Sequence, residues 1–237
     1  MSRPLALLLT TLALGLTACG DDSTIDAPPD GDASVSTAAP ATPETTPTQA
    51  EPSATASSCA KKEEPGGGKA LACPTRTIDP AKTNVITFKT SEGSFDVTLD
   101  GKDAPATANS VAYLAKQGFY DGLDFHRVVP DFVIQGGDPN GDGTGGPGYS
   151  VTEPPPSSLT YTRGVVAMAK GGADAPGASG SQFFVVSAED VGLPPEYALV
   201  GRVSKGLGTV DKITALGEGD GPPTKTVTIE KATLKAG

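Results

Sequence analysis

Apolar and polar positions alternate in two short stretches that begin at residue 85. Val85–Thr90 and residues 95–99 carry this period-two pattern, and the turn-forming Ser91-Glu92-Gly93 separates them. Alternation on both sides of a glycine-containing turn predicts a β-hairpin. Residues 105–118 change to helical spacing, with a proline at the start and a glycine at the end, and this pattern predicts an α-helix.

Short apolar runs follow the predicted helix and indicate further strands. The runs are residues 125–129, 132–135, 164–169, 183–187 and 198–203, a second helix is predicted at residues 209–216, and a last strand at residues 227–234. Many short strands, few helices and frequent glycine favour an all-β, or mainly β, fold that forms a closed or nearly closed β-barrel.

The aromatic residues show where a hydrophobic core can form. All seven Phe and five Tyr lie between Phe88 and Tyr197, and the first 87 residues contain none. A segment without aromatic side chains has little apolar area with which to offset its loss of chain entropy on folding. We therefore predict one folded domain, residues 83–237.

The N-terminus has the pattern of an export signal. Met1-Ser2-Arg3 supplies a positive charge, and the apolar run at residues 5–16 is too short to span a bilayer as a permanent helix. The run ends in Leu16-Thr17-Ala18-Cys19, which resembles a bacterial lipobox. This resemblance implies a lipoprotein signal peptide at residues 1–18 and lipidation of Cys19, which would anchor the exported protein to the outer face of the cell membrane. The alternative is an ordinary signal peptide.

Residues 20–60 have the composition of a disordered tether. They contain seven acidic residues, six Pro and no Lys or Arg, while Ser, Thr and Ala supply most of the rest. Such a segment buries too little apolar area to fold. We assign residues 19–82 to the lipidated cysteine and an acidic linker between the membrane and the domain.

The remaining two cysteines lie near the end of this linker. If Cys19 carries a lipid, Cys59 and Cys73 form the only pair in an exported protein, where oxidation is the default. We predict a disulfide that closes a glycine-rich loop, with two free thiols as the alternative. A zinc site needs more thiol or imidazole ligands than a chain with one His offers, so we predict no metal.

The densest motifs lie in the predicted strands. Phe125-His126-Arg127 is followed by Phe132-Val133-Ile134-Gln135-Gly136-Gly137-Asp138, and Ser181-Gln182-Phe183-Phe184 comes about fifty residues later. In this order and spacing, from residue 85 to residue 234, the chain closely resembles the cyclophilins. The resemblance implies a closed eight-stranded antiparallel β-barrel capped by two α-helices. It also implies peptidyl-prolyl cis-trans isomerase activity without a cofactor.

The chemistry of this reaction makes an arginine the leading catalytic candidate. An X-Pro bond rotates over a barrier of roughly 18–20 kcal/mol because resonance gives the bond double-bond character. In the twisted transition state the prolyl nitrogen regains its lone pair and accepts a hydrogen bond. A fixed cationic donor therefore stabilises that state more than either ground state. Arg127 lies between apolar strand residues, and its guanidinium stays protonated and planar.

The resemblance assigns a role to each further site residue. Arg127 takes the catalytic position, Gln135 contacts the substrate and helps to orient Arg127, and Phe132 is the third residue assigned to the catalytic group. The residues that would line or border the proline pocket are Phe132, Val133, Phe184, Leu193 and Tyr197. The residues that would form the groove for the segment before proline are Gly143, Ala169, Lys170 and Gln182.

Four positions depart from the well-studied eukaryotic cyclophilins. Gly192 stands at their Trp, Tyr197 at their pocket His, Val133 at their Met, and Lys170 at their groove Asn. The catalytic arginine and its motif neighbours are intact, so the resemblance still implies isomerase activity. It does not imply tight cyclosporin binding, because that Trp donates a hydrogen bond to the drug in the family.

Charge and motif spacing argue against several other functions. A formal net charge of −10 with scattered Lys and Arg argues against a nucleic-acid partner. Residues 177–181 miss the spacing of a serine-hydrolase motif. Residues 138–143 match the first half of a calcium loop, but its twelfth position is Tyr149 instead of Glu, so we expect a glycine-rich surface loop. We expect His126, the only histidine, to support the barrel.

Two function classes remain. The first is a surface-tethered prolyl isomerase that assists the folding of exported proteins. The alternative is a catalytically weak cyclophilin-fold module that binds proline-containing segments of a partner protein. Arg127 favours the enzyme, because a module that only binds has no need of this donor. We expect a monomer whose partners are proline-containing polypeptides.

Overall fold

The computed structural model describes residues 59–62 and 69–237, which contain two α-helices and eleven β-strands. The helices are α1 (Pro105–Lys116) and α2 (Leu207–Thr214). The strands are β1 (Ala60–Lys61), β2 (Val85–Thr90), β3 (Gly93–Leu99), β4 (Arg127–Val129), β5 (Val133–Gly136), β6 (Tyr149–Thr152), β7 (Val165–Met168), β8 (Ala178–Ser179), β9 (Phe183–Val186), β10 (Leu199–Lys205) and β11 (Ile229–Lys235).

The predicted hairpin and first helix are confirmed. Strands β2 and β3 pair antiparallel around the expected turn. Helix α1 begins at Pro105, where the missing N–H has no partner to lose, and it is followed by Gly118, which adopts a φ of 64°. Helix α2 begins two residues earlier than the spacing predicts.

Eight strands form one antiparallel sheet in the order β11-β2-β3-β10-β7-β9-β5-β4. The sheet curls into a half-barrel, and its end strands β4 and β11 do not pair, so the predicted closed barrel is wrong. Isolated bridges join Val128 to Gly221 and Asp124 to Thr228 near the opening. Residues 217–223 contain three Gly and two Pro, and proline without an N–H cannot extend a strand ladder.

A second sheet has three strands in the order β1-β6-β8. The sequence pattern does not predict these strands, and two of them are only two residues long. Strand β1 precedes the predicted domain boundary, and so does Ile78, which is buried in the main core. Cys59 and Cys73 are bonded through their sulfur atoms, with their Cα atoms 6.0 Å apart. This segment therefore lies against the domain.

The central strands β5, β7 and β9 are buried on both faces. Because successive residues of a strand point to opposite faces, Ile134 and Phe183 enter the main core, while Val133 and Phe184 enter a second cluster on the other face. We call this second cluster the outer cluster. Its buried residues are Ala104, Val133, Tyr161, Val165, Ala167, Phe184, Val186 and Leu199.

Within residues 59–62 and 69–237, no helix has the length and apolar character needed to cross a membrane. The predicted signal peptide at residues 1–18, the lipid site Cys19 and the linker up to residue 58 lie outside the described residues.

Candidate active site

Neighbouring strands bring the candidate catalytic residues together on the outer face of the sheet. Arg127 in β4 lies directly opposite Gln135 in β5, and Gln135 lies directly opposite Phe184 in β9. Opposite residues of an antiparallel pair project to the same face. The strand register therefore places a cation beside the apolar surface of the outer cluster.

The Arg127 guanidinium has three hydrogen bonds. Its Nε and Nη2 groups donate to the two carboxylate oxygens of Asp220 at 2.6 and 2.9 Å, and Nη1 donates to Oε1 of Gln135 at 3.2 Å. The ring centre of Phe132 lies 5.7 Å from the guanidinium carbon. Since a guanidinium carries five N–H donors, one N–H on each terminal nitrogen has no partner within the described part of the chain.

The contact with Asp220 stabilises the charged form of both groups. The hydrogen bond to Asp220 raises the pKa of Arg127, and the same bond lowers the pKa of Asp220 below its ordinary value. Arg127 is therefore a cation and Asp220 an anion at neutral pH. The sequence analysis missed Asp220, which lies 93 residues beyond Arg127 in a glycine-rich loop without a motif of its own.

A chain of polar contacts continues from Gln135 into the loop after β5. Gln135 Nε2 donates to Oε1 of Gln182 at 3.1 Å. Gln182 Nε2 donates in turn to the carbonyl oxygens of Gly143 and Gly145, both at 2.9 Å. Three residues that the resemblance assigns to the site, Gln135, Gln182 and Gly143, thus belong to one network that begins at Arg127.

The residues assigned to the proline pocket meet in the outer cluster. Val133 and Phe184 are buried in it, and Phe132, Leu193 and Tyr197 are partly buried against it. The Tyr197 and Phe184 rings meet edge-on with their centres 5.6 Å apart. Partly exposed apolar side chains around a buried ring form a surface that an apolar ligand ring would cover favourably.

Tyr161 is a member of the outer cluster that the sequence analysis missed. Its ring centre lies 6.2 Å from that of Phe184 and 5.9 Å from that of Tyr197. The Tyr161 hydroxyl donates to the Tyr197 carbonyl at 2.7 Å and accepts from the Tyr197 N–H at 3.0 Å. Burial raises the pKa of Tyr161 to about 12, so the hydroxyl stays protonated and supports the main chain of Tyr197.

The residues assigned to the groove border one cavity of about 180 Å³. They are Gly143, Ala169, Lys170 and Gln182. Lys62, from the segment that includes β1, borders the same cavity. The groove therefore has one wall that comes from the N-terminal side of the predicted domain boundary.

Lys170 connects the groove to the edge of the apolar pocket. Its side chain is only 7% exposed, and its Nζ lies 3.4 Å from a carboxylate oxygen of Glu196. The same Nζ lies 5.5 Å from the ring centre of Tyr197. The attraction of the ammonium ion to the carboxylate and to the aromatic face offsets the free-energy cost of removing it from water.

Gly192 leaves the rim of the pocket open beside Leu193. It is exposed and adopts a φ of 62°, and no atom lies within 4 Å of the position that a Cβ would occupy. The position that the sequence resemblance aligns with a Trp of eukaryotic cyclophilins thus carries no side chain here.

His126 stands apart from these contacts. Both ring nitrogens are buried without a hydrogen-bond partner among the described residues. Burial lowers the pKa of His126 from its ordinary 6.5, and the negative charge of Asp138 partly offsets this effect. His126 is therefore neutral at neutral pH.

The loop that resembles half of a calcium site is closed by its own carboxylate. The buried Asp138 accepts hydrogen bonds from the N–H groups of Asn140, Asp142 and Gly143. In the part of the chain that the structure describes, no three His, Cys, Asp or Glu side chains are grouped so that they could hold a metal ion. The Asp138 oxygens thus serve to shape the loop that borders the groove.

The groove, the outer cluster and Arg127 together indicate the chemistry of the site. The groove can accept an extended polypeptide, the outer cluster can hold an apolar ring, and Arg127 can donate a hydrogen bond to an atom beside that ring. The site therefore suits a reaction in which a bound polypeptide changes its conformation while a developing lone pair is stabilised.

Comparison with known protein families and sequences gives concordant matches. A family model described as "Cyclophilin type peptidyl-prolyl cis-trans isomerase/CLD" matches residues 85–234. A "Probable peptidyl-prolyl cis-trans isomerase B" of Mycobacterium leprae is 39% identical over 176 residues, which are 66% of this chain and 58% of that protein. A "Peptidyl-prolyl cis-trans isomerase" of Helicobacter pylori is 42% identical over 136 residues, covering 56% of this chain and 82% of that protein. The chain thus spans less than two-thirds of the length of the Mycobacterium leprae relative.

Solved structures show the same similarity. A crystal structure of a cyclophilin type peptidyl-prolyl cis-trans isomerase from Cryptosporidium parvum matches with a TM-score of 0.58 and 27% identity, covering 66% of this chain and 99% of that one. A crystal structure of the same protein in the presence of the dipeptide Ala-Pro has a TM-score of 0.58 and 26% identity, covering 65% and 99%.

Proposed function

The chain belongs to the cyclophilin-type peptidyl-prolyl cis-trans isomerases, and from this membership we propose that it catalyses rotation about X-Pro peptide bonds in polypeptides. The observation that carries the proposal is the Arg127 guanidinium, held by Asp220 and Gln135 with an N–H free on each terminal nitrogen among the described contacts. Phe132 and the outer cluster supply the adjacent apolar surface.

The reaction requires binding and electrostatic stabilisation, without a covalent step. The outer cluster holds the proline ring, and the groove holds the residues that precede it. As the amide twists, the prolyl nitrogen becomes a hydrogen-bond acceptor, and Arg127 donates to it. The Cryptosporidium parvum relative crystallised in the presence of Ala-Pro supports a proline-containing peptide as the substrate class.

The test is the cis–trans exchange rate of a short X-Pro peptide, measured by NMR with the full chain as catalyst. We expect Arg127→Ala to lower the catalysed rate by more than about tenfold, because the variant has lost the donor to the prolyl nitrogen. Arg76→Ala is the matched control, since Arg76 is an exposed arginine whose ion pair among the described residues is with Asp79. Circular dichroism of each variant checks that the fold is retained.

The outcomes separate the two function classes. Fast exchange that is lost in Arg127→Ala supports the isomerase. If the wild-type chain binds the peptide but leaves its exchange slow, the chain is a binding module for proline-containing segments, and the isomerase proposal is wrong. Equal rates for Arg127→Ala and the wild type would contradict the role of the guanidinium.

For the location, we propose an exported protein that Cys19 anchors by its lipid to the outer face of the cell membrane. The apolar run before Cys19 and the acidic, proline-containing linker after it support this proposal. The enzyme then acts as a monomer on exported polypeptides near the membrane. The oxidising setting outside the cell would also favour the Cys59–Cys73 disulfide, whose Cα separation of 6.0 Å suits such a bond.

A further inference from the structure

Asp220 makes the shortest contacts of the Arg127 guanidinium but belongs to no motif of the sequence analysis. Its two carboxylate oxygens lie 2.6 Å from Nε and 2.9 Å from Nη2. Two parallel N–H to carboxylate bonds restrict both the position and the plane of a guanidinium, which a single bond does not. The contact therefore constrains the group that the proposed reaction uses.

The loop that carries Asp220 is fixed to strand β4. At its base, the Thr224 N–H and hydroxyl both donate to the Leu216 carbonyl, at 2.8 and 3.1 Å. Beside Asp220, the Gly221 carbonyl accepts the N–H of Val128, the residue after Arg127, at 2.8 Å.

A close backbone approach adds a further restraint on this loop. A Cβ at Gly217 would lie 2.9 Å from the Val128 carbonyl oxygen and 2.9 Å from Cδ of Pro130, so the loop approaches β4 where no larger residue fits. With the hydrogen bonds at Leu216 and Gly221, this approach holds the Asp220 carboxylate next to Arg127 before any substrate arrives.

The contacts of Arg127 with the described residues leave one N–H on Nη1 and one on Nη2 available for a substrate. Asp220 occupies the Nε edge of the guanidinium, and Gln135 occupies one N–H of Nη1. The Phe132 ring, 5.7 Å from the guanidinium carbon, limits motion of the group on that side. The remaining N–H groups on the terminal nitrogens therefore keep fixed directions.

The charge of Asp220 does not cancel the use of Arg127 as a cationic donor. The Asp220 side chain is 67% exposed, and that of Arg127 is 30% exposed. Water screens an exposed carboxylate, so its charge acts weakly beyond the two direct hydrogen bonds. Since the same contact raises the pKa of Arg127, the guanidinium stays a cation while Asp220 holds it.

We propose that Asp220 is a positioning residue of the isomerase, which orients the Arg127 guanidinium so that its free N–H groups meet the twisted prolyl nitrogen. The inference rests on the proposed function. Positioning acts on the transition state more than on substrate binding, so its loss lowers kcat and leaves KM nearly unchanged.

The test compares the full chain with its Asp220→Asn and Asp220→Ala variants. Asparagine keeps the shape but has one amide oxygen in place of two acceptor oxygens, so the two-point contact is lost. We expect kcat for X-Pro exchange to fall about threefold to tenfold with KM within about twofold of the wild type. Asp211→Asn is the matched control, because Asp211 is a partly exposed aspartate paired with Arg163.

A second measurement reports the orientation itself. In ¹⁵N-labelled protein we expect the Arg127 Nε–H to exchange slowly with water in the wild type and in Asp211→Asn. We expect this protection to be lost in Asp220→Ala, whose side chain has no acceptor for the Nε–H, and reduced in Asp220→Asn, whose single uncharged oxygen is a weaker acceptor. A change confined to protein stability would leave the exchange of this single N–H and the split between kcat and KM unaltered.

The outcomes distinguish this inference from the proposed function. An active wild type with an unchanged kcat in Asp220→Asn overturns the inference alone, and so does a raised KM at constant kcat. A wild type that does not accelerate exchange overturns the proposed function, and the inference with it. A lowered kcat at constant KM, with loss of Nε–H protection, supports the inference.

Discussion

Arg127 illustrates how far a local motif specifies the partners of a residue. Its contact with Gln135 follows from the antiparallel register of β4 and β5, which are joined by a short turn. Residues that are close together in the sequence set this register. The motif around Arg127 therefore already implies the contact between Arg127 and Gln135. The contact with Asp220 arises from a loop 93 residues away that returns to the sheet edge, and no local pattern encodes this return.

His126 gives a prediction on the pH dependence of stability. Burial lowers its pKa in the folded protein below 6.5, its ordinary value and the one expected in the unfolded chain. As the pH falls below 6.5, the unfolded chain therefore binds a proton before the folded protein does. The contribution of His126 to the free energy of unfolding therefore decreases as the pH falls from 6.5 to the lower pKa of the folded state.

The measurement is urea unfolding of the wild type and His126→Gln between about pH 7.5 and about pH 5.5. We expect the wild type to lose more stability over this range than the variant, whose side chain does not titrate. Since the chain has one His, no other imidazole contributes to the difference. Equal losses in the two proteins would show that the pKa of His126 is not lowered on folding.

At the level of strands, the periodicity of apolar residues identifies elements more reliably than it identifies their neighbours. The short runs that become β7 and β9 read as continuously apolar because both faces are buried, whereas β5 carries the polar Gln135. Sequence periodicity does not indicate what covers each face. Tyr161 covers part of the outer face, and its place follows only from the assembled sheet.

The segment containing β1 carries a prediction on the disulfide. The double variant Cys59→Ser/Cys73→Ser should lose about 3 kcal/mol of unfolding free energy, because the unfolded chain regains the freedom of a short closed loop. The Lys62 N–H, which donates to the Gly148 carbonyl at 3.1 Å, should exchange faster with water.

Urea unfolding and hydrogen exchange measure these two effects. The wild type reduced with dithiothreitol serves as the control and should match the double variant. If oxidised wild type and the variant agree in both measurements, Cys59 and Cys73 do not form a stabilising bond in solution.

At the scale of the whole molecule, the proposed leader and lipid anchor lead to a prediction on location. Cys19→Ser removes the thiol that a lipid would occupy, so we expect the variant to leave the membrane fraction when cells are fractionated. Arg127→Ala, which changes only the domain, should stay with the membrane and serves as the control. Continued sedimentation of Cys19→Ser with membranes would contradict the lipid anchor.

The amino-acid sequence alone was sufficient for the hairpin, both helices, most strands of the large sheet and the family, because these depend on local spacing and on contiguous motifs. It did not predict that the sheet stays open, that Tyr161 supports the pocket, or that Asp220 holds Arg127. Each of these depends on where distant segments meet: residues 217–223 approach β4 without pairing with it as a strand, and Tyr161 packs across the outer face. These tertiary contacts are set by the packing of the whole chain, because the free energy that stabilises them comes from interactions between residues far apart in sequence.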